Sequence, residues 1–198
     1  MRAACAVLTA CYALTGCASH ADLIAPPPSA PLRSRLAAYD ELKSLSYHST
    51  TVTTYGSFGS STTRSTDYMQ LANGTRVYYP EDILPVVPEG SAPANAAEAS
   101  KSKRDLASVL ALTSALSIAG GLALTVLSFT SGSSDSRGTP IAIGLGVALG
   151  GGLGFGLAAR FVGASAQDEA ATAYETYDHG LLERLHLCEI GNGVDDCG

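Results

Sequence analysis

The apolar residues of this chain are concentrated in two long stretches near its centre. We predict apolar helix 1 over residues 106–129 and a glycine-rich apolar helix 2 over residues 140–160, which contains no charge except Arg160. A 24-residue helix is about 36 Å long, enough to cross a hydrocarbon core of roughly 30 Å. Pro140 suits a first helical turn. With the polar residues 130–139 between them, the stretches predict an antiparallel, two-helix membrane-type hairpin.

Small residues recur every fourth position in the second stretch and form two lines along a helix. We predict that six glycines pack against other helices. Gly144, Gly152 and Gly156 form one line together with Ala148, and Gly146, Gly150 and Gly154 form the other. Such lines let another backbone approach closely, and the segment resembles glycine-zipper membrane helices in general. In the first stretch, Ala115, Ala119 and Ala123 form a similar line, with Ser117 and Gly121 beside it. Two grooves on one helix suggest one contact within the chain and one between chains.

Two other interpretations of the glycines are weaker. A dinucleotide-binding loop needs a preceding strand and an acidic residue about twenty positions later, and neither is found. A flexible linker would be polar and rich in Gly and Ser. The interleaved Leu145, Leu149 and Phe155 oppose that.

The segments on either side of the hairpin predict smaller elements and an α+β fold class. Residues 36–91 should form a small α/β region, with a short helix from Leu36 to Leu45, a strand at residues 51–55 and a loop at residues 56–66. Asn73-Gly74 predicts a β-hairpin over residues 68–79. So small a region rarely buries enough apolar surface alone, so we expect it to pack elsewhere on the chain or on a partner.

Five tyrosines of this region could line a binding face or fill a thin core and its rim, and the second interpretation is favoured. They are Tyr47, Tyr55, Tyr68, Tyr78 and Tyr79.

Helical patterns also flank the apolar stretches. Residues 92–105 predict an exposed helix that runs directly into apolar helix 1, and residues 166–198 predict a C-terminal amphipathic helix followed by a disulfide loop. One arc of that helix holds Tyr174, Tyr177, Leu181 and Leu185. The other holds Glu175, His179, Glu183 and His186. These are metal-ligand residue types, but we predict a solvated face and no metal, because a zinc site usually takes ligands from several elements.

The N-terminus has the layout of an export signal. Residues 1–16 contain Arg2, an apolar segment and Leu14-Thr15-Gly16 before Cys17. This ending resembles the lipobox of bacterial lipoproteins. The resemblance implies cleavage before Cys17, lipidation of its thiol and an added acyl chain such as palmitate. The alternative is ordinary cleavage, for instance after Ala18.

The mature chain would then begin with a lipid-anchored, Pro-rich tether over residues 17–35 that holds the body away from the lipid surface. In the lipoprotein family, a residue such as Ala18 after the cysteine favours the outer membrane. Cys188 and Cys197 lie close together in sequence, and in an exported chain they predict a disulfide.

The flanking charges are at odds with this topology. Lys101, Lys103, Arg104 and Arg160 flank the stretches, whereas the loop has Arg137 alone. The positive-inside rule would place the flanks in the cytoplasm, and a lipidated N-terminus would place them outside. Three explanations are open: an outer-membrane location, a charge difference too small to matter, or a hairpin buried in an oligomer.

Composition and motifs limit the function classes. A net charge of −6 argues against nucleic acid as a partner. No catalytic arrangement has its supporting residues, so we predict no enzyme activity, no cofactor and no identifiable small-molecule substrate. We expect a membrane-anchored lipoprotein of the bacterial cell envelope, located in the outer membrane and facing the periplasm. Its role would be structural or in assembly, with membrane lipid, a second copy or another envelope protein as partners. The alternatives are an oligomeric pore or transport component and, third, an envelope enzyme.

Overall fold

A computed structural model describes residues 20–55, 61–131, 138–191 and 193–197. Its helices are α1 (Leu32–Leu42), α2 (Ala92–Ser131), α3 (Gly138–Gly146), α4 (Gly152–Glu175) and α5 (Tyr177–Arg184). A 3-10 helix covers Pro80–Val86, and a π-helical segment, Val147–Gly151, joins α3 to α4. The strands are β1 (Ser44–Tyr55), β2 (Ser61–Leu71), β3 (Arg76–Val77), β4 (Leu187–Ile190) and β5 (Gly193–Asp196). The predicted α+β class is confirmed.

Two parts can be distinguished in this architecture. We call residues 106–131 and 138–160 the apolar hairpin, and the remaining described residues the body. One hydrophobic core in the body joins the three-stranded sheet, the 3-10 helix, the start of α2, the end of α4 and α5. Met69, Val77, Ile83, Leu181 and Leu185 are all fully buried there. The small β region therefore packs on other parts of the chain, as expected for its size.

The larger sheet is antiparallel, in the order β1-β2-β3. The predicted hairpin is present, with Met69 opposite Val77. Gly74 has a φ of +86°, and the Asn73 side chain accepts a hydrogen bond from the Thr75 amide at 2.9 Å. The predicted loop over residues 56–66 is wrong in its second half, because the Ser- and Thr-rich chain from Ser61 pairs with β1. Residues 56–60 lie outside the described residues.

The described part of the predicted tether is not free. Residues 20–31 lie on the body, where Leu23 is buried in the core. The Ala21 amide donates to Asp82 Oδ2 at 2.9 Å, and His20 Nδ1 lies 2.7 Å from Asp82 Oδ1. Helix α1 begins four residues earlier than predicted and ends at Leu42, so Leu45 lies in β1. The prolines do extend the chain, but it follows an apolar surface.

Helix α2 is 40 residues long, about 60 Å, and joins the body to the hairpin without a break. The prediction that its first turns are exposed is wrong. Ala94, Ala97 and Ser100 are buried, because small side chains let the helix lie close to the rest of the core.

The predicted C-terminal helix is a continuation of the second apolar helix. Helix α4 runs to Glu175, the helix breaks at Thr176, and α5 ends at Arg184. The predicted apolar arc is confirmed as core, because Tyr174, Tyr177, Leu181 and Leu185 are all buried. Gly180 is needed here, since a Cβ at this position would lie 2.5 Å from Pro93 Cγ.

Candidate functional site

The apolar hairpin exposes most of its large side chains. Leu112 and Leu116 on α2 are 63% and 65% exposed, and Leu153 on α4 is 60% exposed. Both helices are long and apolar enough to cross a membrane, and only 11% and 22% of their most apolar windows are buried. Soluble monomers rarely expose so large an apolar surface. The hairpin therefore has the surface of a segment suited to an apolar environment.

Hydroxyl groups in the hairpin bond to the helix itself. Ser108 donates to the Arg104 carbonyl, Thr113 to Val109 and Thr125 to Gly121, each at 2.9 Å. These polar side chains consequently need no water, which is the condition for placing them in lipid.

The two hairpin helices meet along a seam of small residues. A Cβ at Gly144 would lie 2.5 Å from Thr125 Oγ1 and 2.7 Å from the Gly121 carbonyl oxygen. Further along, the buried Ser114 hydroxyl donates to the Gly152 carbonyl at 2.6 Å. A Cβ at Gly156 would lie 3.2 Å from Ser114 Oγ. Gly144, Gly152 and Gly156 thus pack within the chain.

The other predicted line does not pack within the chain. A Cβ at Gly146, Gly150 or Gly154 would meet nothing within 4 Å. The alanine line predicted on the first helix is also wrong, because Ala115, Ala119 and Ala123 are exposed. Ser117 and Gly121, predicted beside that line, do lie against the second helix. The seam instead uses Ser114, Ile118, Gly121 and Thr125, which follow a seven-residue spacing. Only one face of each helix can meet its partner in a two-helix hairpin.

Charged and aromatic side chains surround the base of the hairpin. Lys103 Nζ lies 2.7 Å from Glu169 Oε1, and Arg104 lies 2.5 Å from Glu81 Oε2. Arg104 also lies over the Tyr79 ring, 5.2 Å from its centroid. We call these five residues, together with Arg160, the basal collar. The collar marks the boundary between the apolar hairpin and the polar body.

The N-terminal end of the described chain lies at this collar. The His20 ring stacks on Tyr79, with 4.4 Å between the ring centroids. Cys17 and the predicted signal over residues 1–16 lie outside the described residues.

A second polar cluster ties the C-terminal loop to α1. Cys188 and Cys197 lie at disulfide-bonding distance, with their Cα atoms 5.1 Å apart. The buried Arg35 donates to the Leu185 carbonyl at 2.8 Å and to Asp196 Oδ2 at 2.6 Å. Sequence reasoning missed Arg35, because its partners lie about 150 residues away and no local pattern marks them.

The four residues of metal-ligand type on the predicted C-terminal helix lie on the protein surface. Glu175, His179, Glu183 and His186 are exposed. Among the residues that the structure describes, no three His, Cys, Asp or Glu side chains are grouped so as to hold a metal.

The tyrosines lie in and around the core. Tyr47 is 43% exposed and contacts Tyr174, and Tyr68 contacts Tyr78. The Tyr55 side chain lies outside the described part. Burial raises the pKa of Tyr177, and the charge of Asp178 raises it further. Its neutral hydroxyl donates to the Leu42 carbonyl at 3.1 Å.

No family model, curated protein or solved structure matches the chain.

Proposed function

We propose that this protein is a cell-envelope lipoprotein with two membrane anchors and a structural or assembly role. One anchor is the apolar hairpin, and the other is a lipidated Cys17. The observation that carries the proposal is the exposed apolar surface of the hairpin, which ends at a collar of charged and aromatic residues. Arg, Lys and Tyr side chains at this level suit the interface between lipid and water.

The position of His20 supports the second anchor. Three residues span at most about 11 Å, and His20 follows Cys17 by three positions. A lipid on Cys17 would therefore be attached close to the collar. Both anchors would enter the same membrane surface, and the body would lie directly on that surface. The Cys188–Cys197 pair is consistent with an oxidising compartment outside the cytoplasm.

Metabolic labelling tests lipidation directly. Cells expressing the protein would be fed a clickable fatty acid, and we expect label on the wild type but none on Cys17→Ala. Cys188→Ser, which also removes one cysteine, is the matched control and should keep the label. Equal labelling of Cys17→Ala and the wild type would reject this anchor. Density-gradient separation of the envelope would then test the outer-membrane location that Ala18 favours.

The open line of glycines favours one alternative, an oligomeric assembly of hairpins that forms a pore. Gly146, Gly150 and Gly154 would allow a close contact between copies. A conducting pore also needs a polar lining, whereas the hydroxyls of Ser108, Thr113 and Thr125 bond back to their own helix. The structural role is therefore preferred. Single-channel conductance of the purified protein in planar bilayers would reverse that preference.

A further inference from the structure

A cavity of about 650 Å³ lies at the base of the hairpin, between α2, α4 and the larger sheet. This volume is in the usual range for a small-molecule site. Six of the residues that line the cavity from the helices are small: Ala107, Ala111, Ala159, Gly163, Ala166 and Ala170. The polar side chains of Ser100, Ser108 and Gln167 line it as well. The cavity exists because those six positions carry no large side chain. Its helical wall is therefore mainly apolar.

The rim of the cavity is polar and carries charges of both signs. Arg104, Arg160 and Tyr79 line it, and Asp67 is the lining carboxylate. Arg104 is paired with Glu81, which offsets its charge. Arg160 is exposed and forms no ion pair with any residue that the structure describes. An exposed guanidinium without a direct ion-pair partner among the described residues thus stands beside an apolar wall, with the Asp67 carboxylate on the same rim.

We propose that this cavity binds an anionic phospholipid. Its phosphate would lie against the guanidinium of Arg160, with Arg104 beside it, since a planar guanidinium can bind phosphate through two hydrogen bonds. The first part of an acyl chain would follow the alanines of α2 and α4. Basic pockets between membrane helices commonly hold anionic head groups. The inference rests on the proposed placement of the hairpin in a membrane.

The cavity is positioned so that lipid can reach it from the side. Ala111 lines the cavity, and Leu112, the next residue, is 63% exposed on the hairpin. On the other helix, Arg160 lines the cavity and Phe161 is 75% exposed. An acyl chain that contacts these outer side chains could thus continue into the cavity while its phosphate stays at the collar.

Lipid retention by the full chain tests the proposal. The protein would be reconstituted in nanodiscs of phosphatidylcholine with a minor fraction of phosphatidylglycerol. It would then be extracted gently and its bound lipids measured by native mass spectrometry. We expect enrichment of phosphatidylglycerol. Arg160→Gln should lower that enrichment roughly tenfold, the effect of one charge-assisted hydrogen bond. Arg33→Gln, an equal charge change at an exposed position away from the cavity, should leave it unchanged.

A second pair of variants tests the apolar wall. Ala111→Phe should fill the cavity and abolish retention. Ala115→Phe, one turn further along α2, is exposed and does not line the cavity, so it should retain lipid. Equal phosphatidylglycerol retention by the wild type and both cavity variants, Arg160→Gln and Ala111→Phe, would overturn the site. So would displacement of the lipid by excess inorganic phosphate, because the site would then recognise the anion alone.

Flotation with neutral phosphatidylcholine vesicles separates the two proposals. If the protein does not float, the membrane placement itself is wrong. If it floats but shows no preference for phosphatidylglycerol, only the lipid site is wrong.

Discussion

Adding a single methyl group to Gly144 in α3 should lower stability, whereas adding one to Gly154 in α4 should not. At Gly144 the new Cβ would lie 2.5 Å from Thr125 Oγ1 and 2.7 Å from the Gly121 carbonyl oxygen. Real Cβ contacts are essentially never closer than 3.0 Å. Because the Gly121 oxygen belongs to a helix backbone, a side-chain rotation cannot relieve that contact, and the two helices must separate locally.

The magnitude follows from what the separation disturbs. Overpacking a tight interface typically costs about 1–3 kcal/mol. The same seam contains the buried hydrogen bond from Ser114 to the Gly152 carbonyl, which contributes about 1 kcal/mol if the separation extends that far. Gly144→Ala should therefore lower the free energy of unfolding by about 1–4 kcal/mol. Part of this loss is offset by the better helix propensity of alanine.

Gly154→Ala is the matched control. A Cβ at Gly154 meets nothing within 4 Å, so only the gain in helix propensity remains, at most about 1 kcal/mol. Thermal unfolding of the wild type and both variants in one detergent, followed by circular dichroism, measures the difference. We expect a lower Tm for Gly144→Ala and an equal or higher Tm for Gly154→Ala. Equal Tm values for Gly144→Ala and the wild type would refute the assignment of the seam.

Three further predictions concern the body. Arg35→Ala should lower the free energy of unfolding by about 2–4 kcal/mol, because it leaves the Leu185 carbonyl and Asp196 without their guanidinium partner; a denaturant titration that shows no change would contradict this, and Arg35→Lys should restore little. Cys188→Ser should cost about 2–3 kcal/mol in the same titration, and non-reducing mass spectrometry of the wild type should find both thiols linked rather than free. Tyr177→Phe should cost about 1 kcal/mol at neutral pH. Because the raised pKa of Tyr177 keeps it neutral when folded, stability should fall as the pH rises above about 10, where the unfolded tyrosine ionises; Tyr177→Phe should show a shallower fall, and identical alkaline profiles would contradict the assignment.

Features that are set by neighbouring residues could be predicted from the spacing of apolar and turn residues in the sequence. Tyr177, Leu181 and Leu185 are buried because helical spacing along α5 brings those side chains to one side. Tyr174 stays on that side because the backbone at the break, Thr176, remains near helical geometry. The turn at Asn73-Gly74 followed from local backbone chemistry in the same way. Both features are set by residues close together in sequence.

Features that depend on distant partners could not be predicted in this way. The two glycine lines are nearly equivalent in sequence, and which one meets α2 depends on the positions of Ser114, Gly121 and Thr125 on the other helix. The burial of Leu23 and the contacts of Arg35 likewise depend on the 3-10 helix and the C-terminal loop. The tether was predicted from proline content alone. Proline content indicates how stiff a segment is, but it does not show which surface the segment packs against.

Accessibility of single cysteines in membranes tests the placement of the hairpin most directly. Leu116 is 65% exposed in the middle of α2, and Glu89 is an exposed residue of the body. Leu116→Cys and Glu89→Cys would each be treated with a membrane-impermeant maleimide in lysed membranes, where both surfaces are open to the reagent. Parallel samples denatured in SDS would give the full signal. We predict that Glu89→Cys reacts in the membrane and that Leu116→Cys reacts only after denaturation. Equally fast labelling of both cysteines in intact bilayers would contradict a hairpin surrounded by lipid.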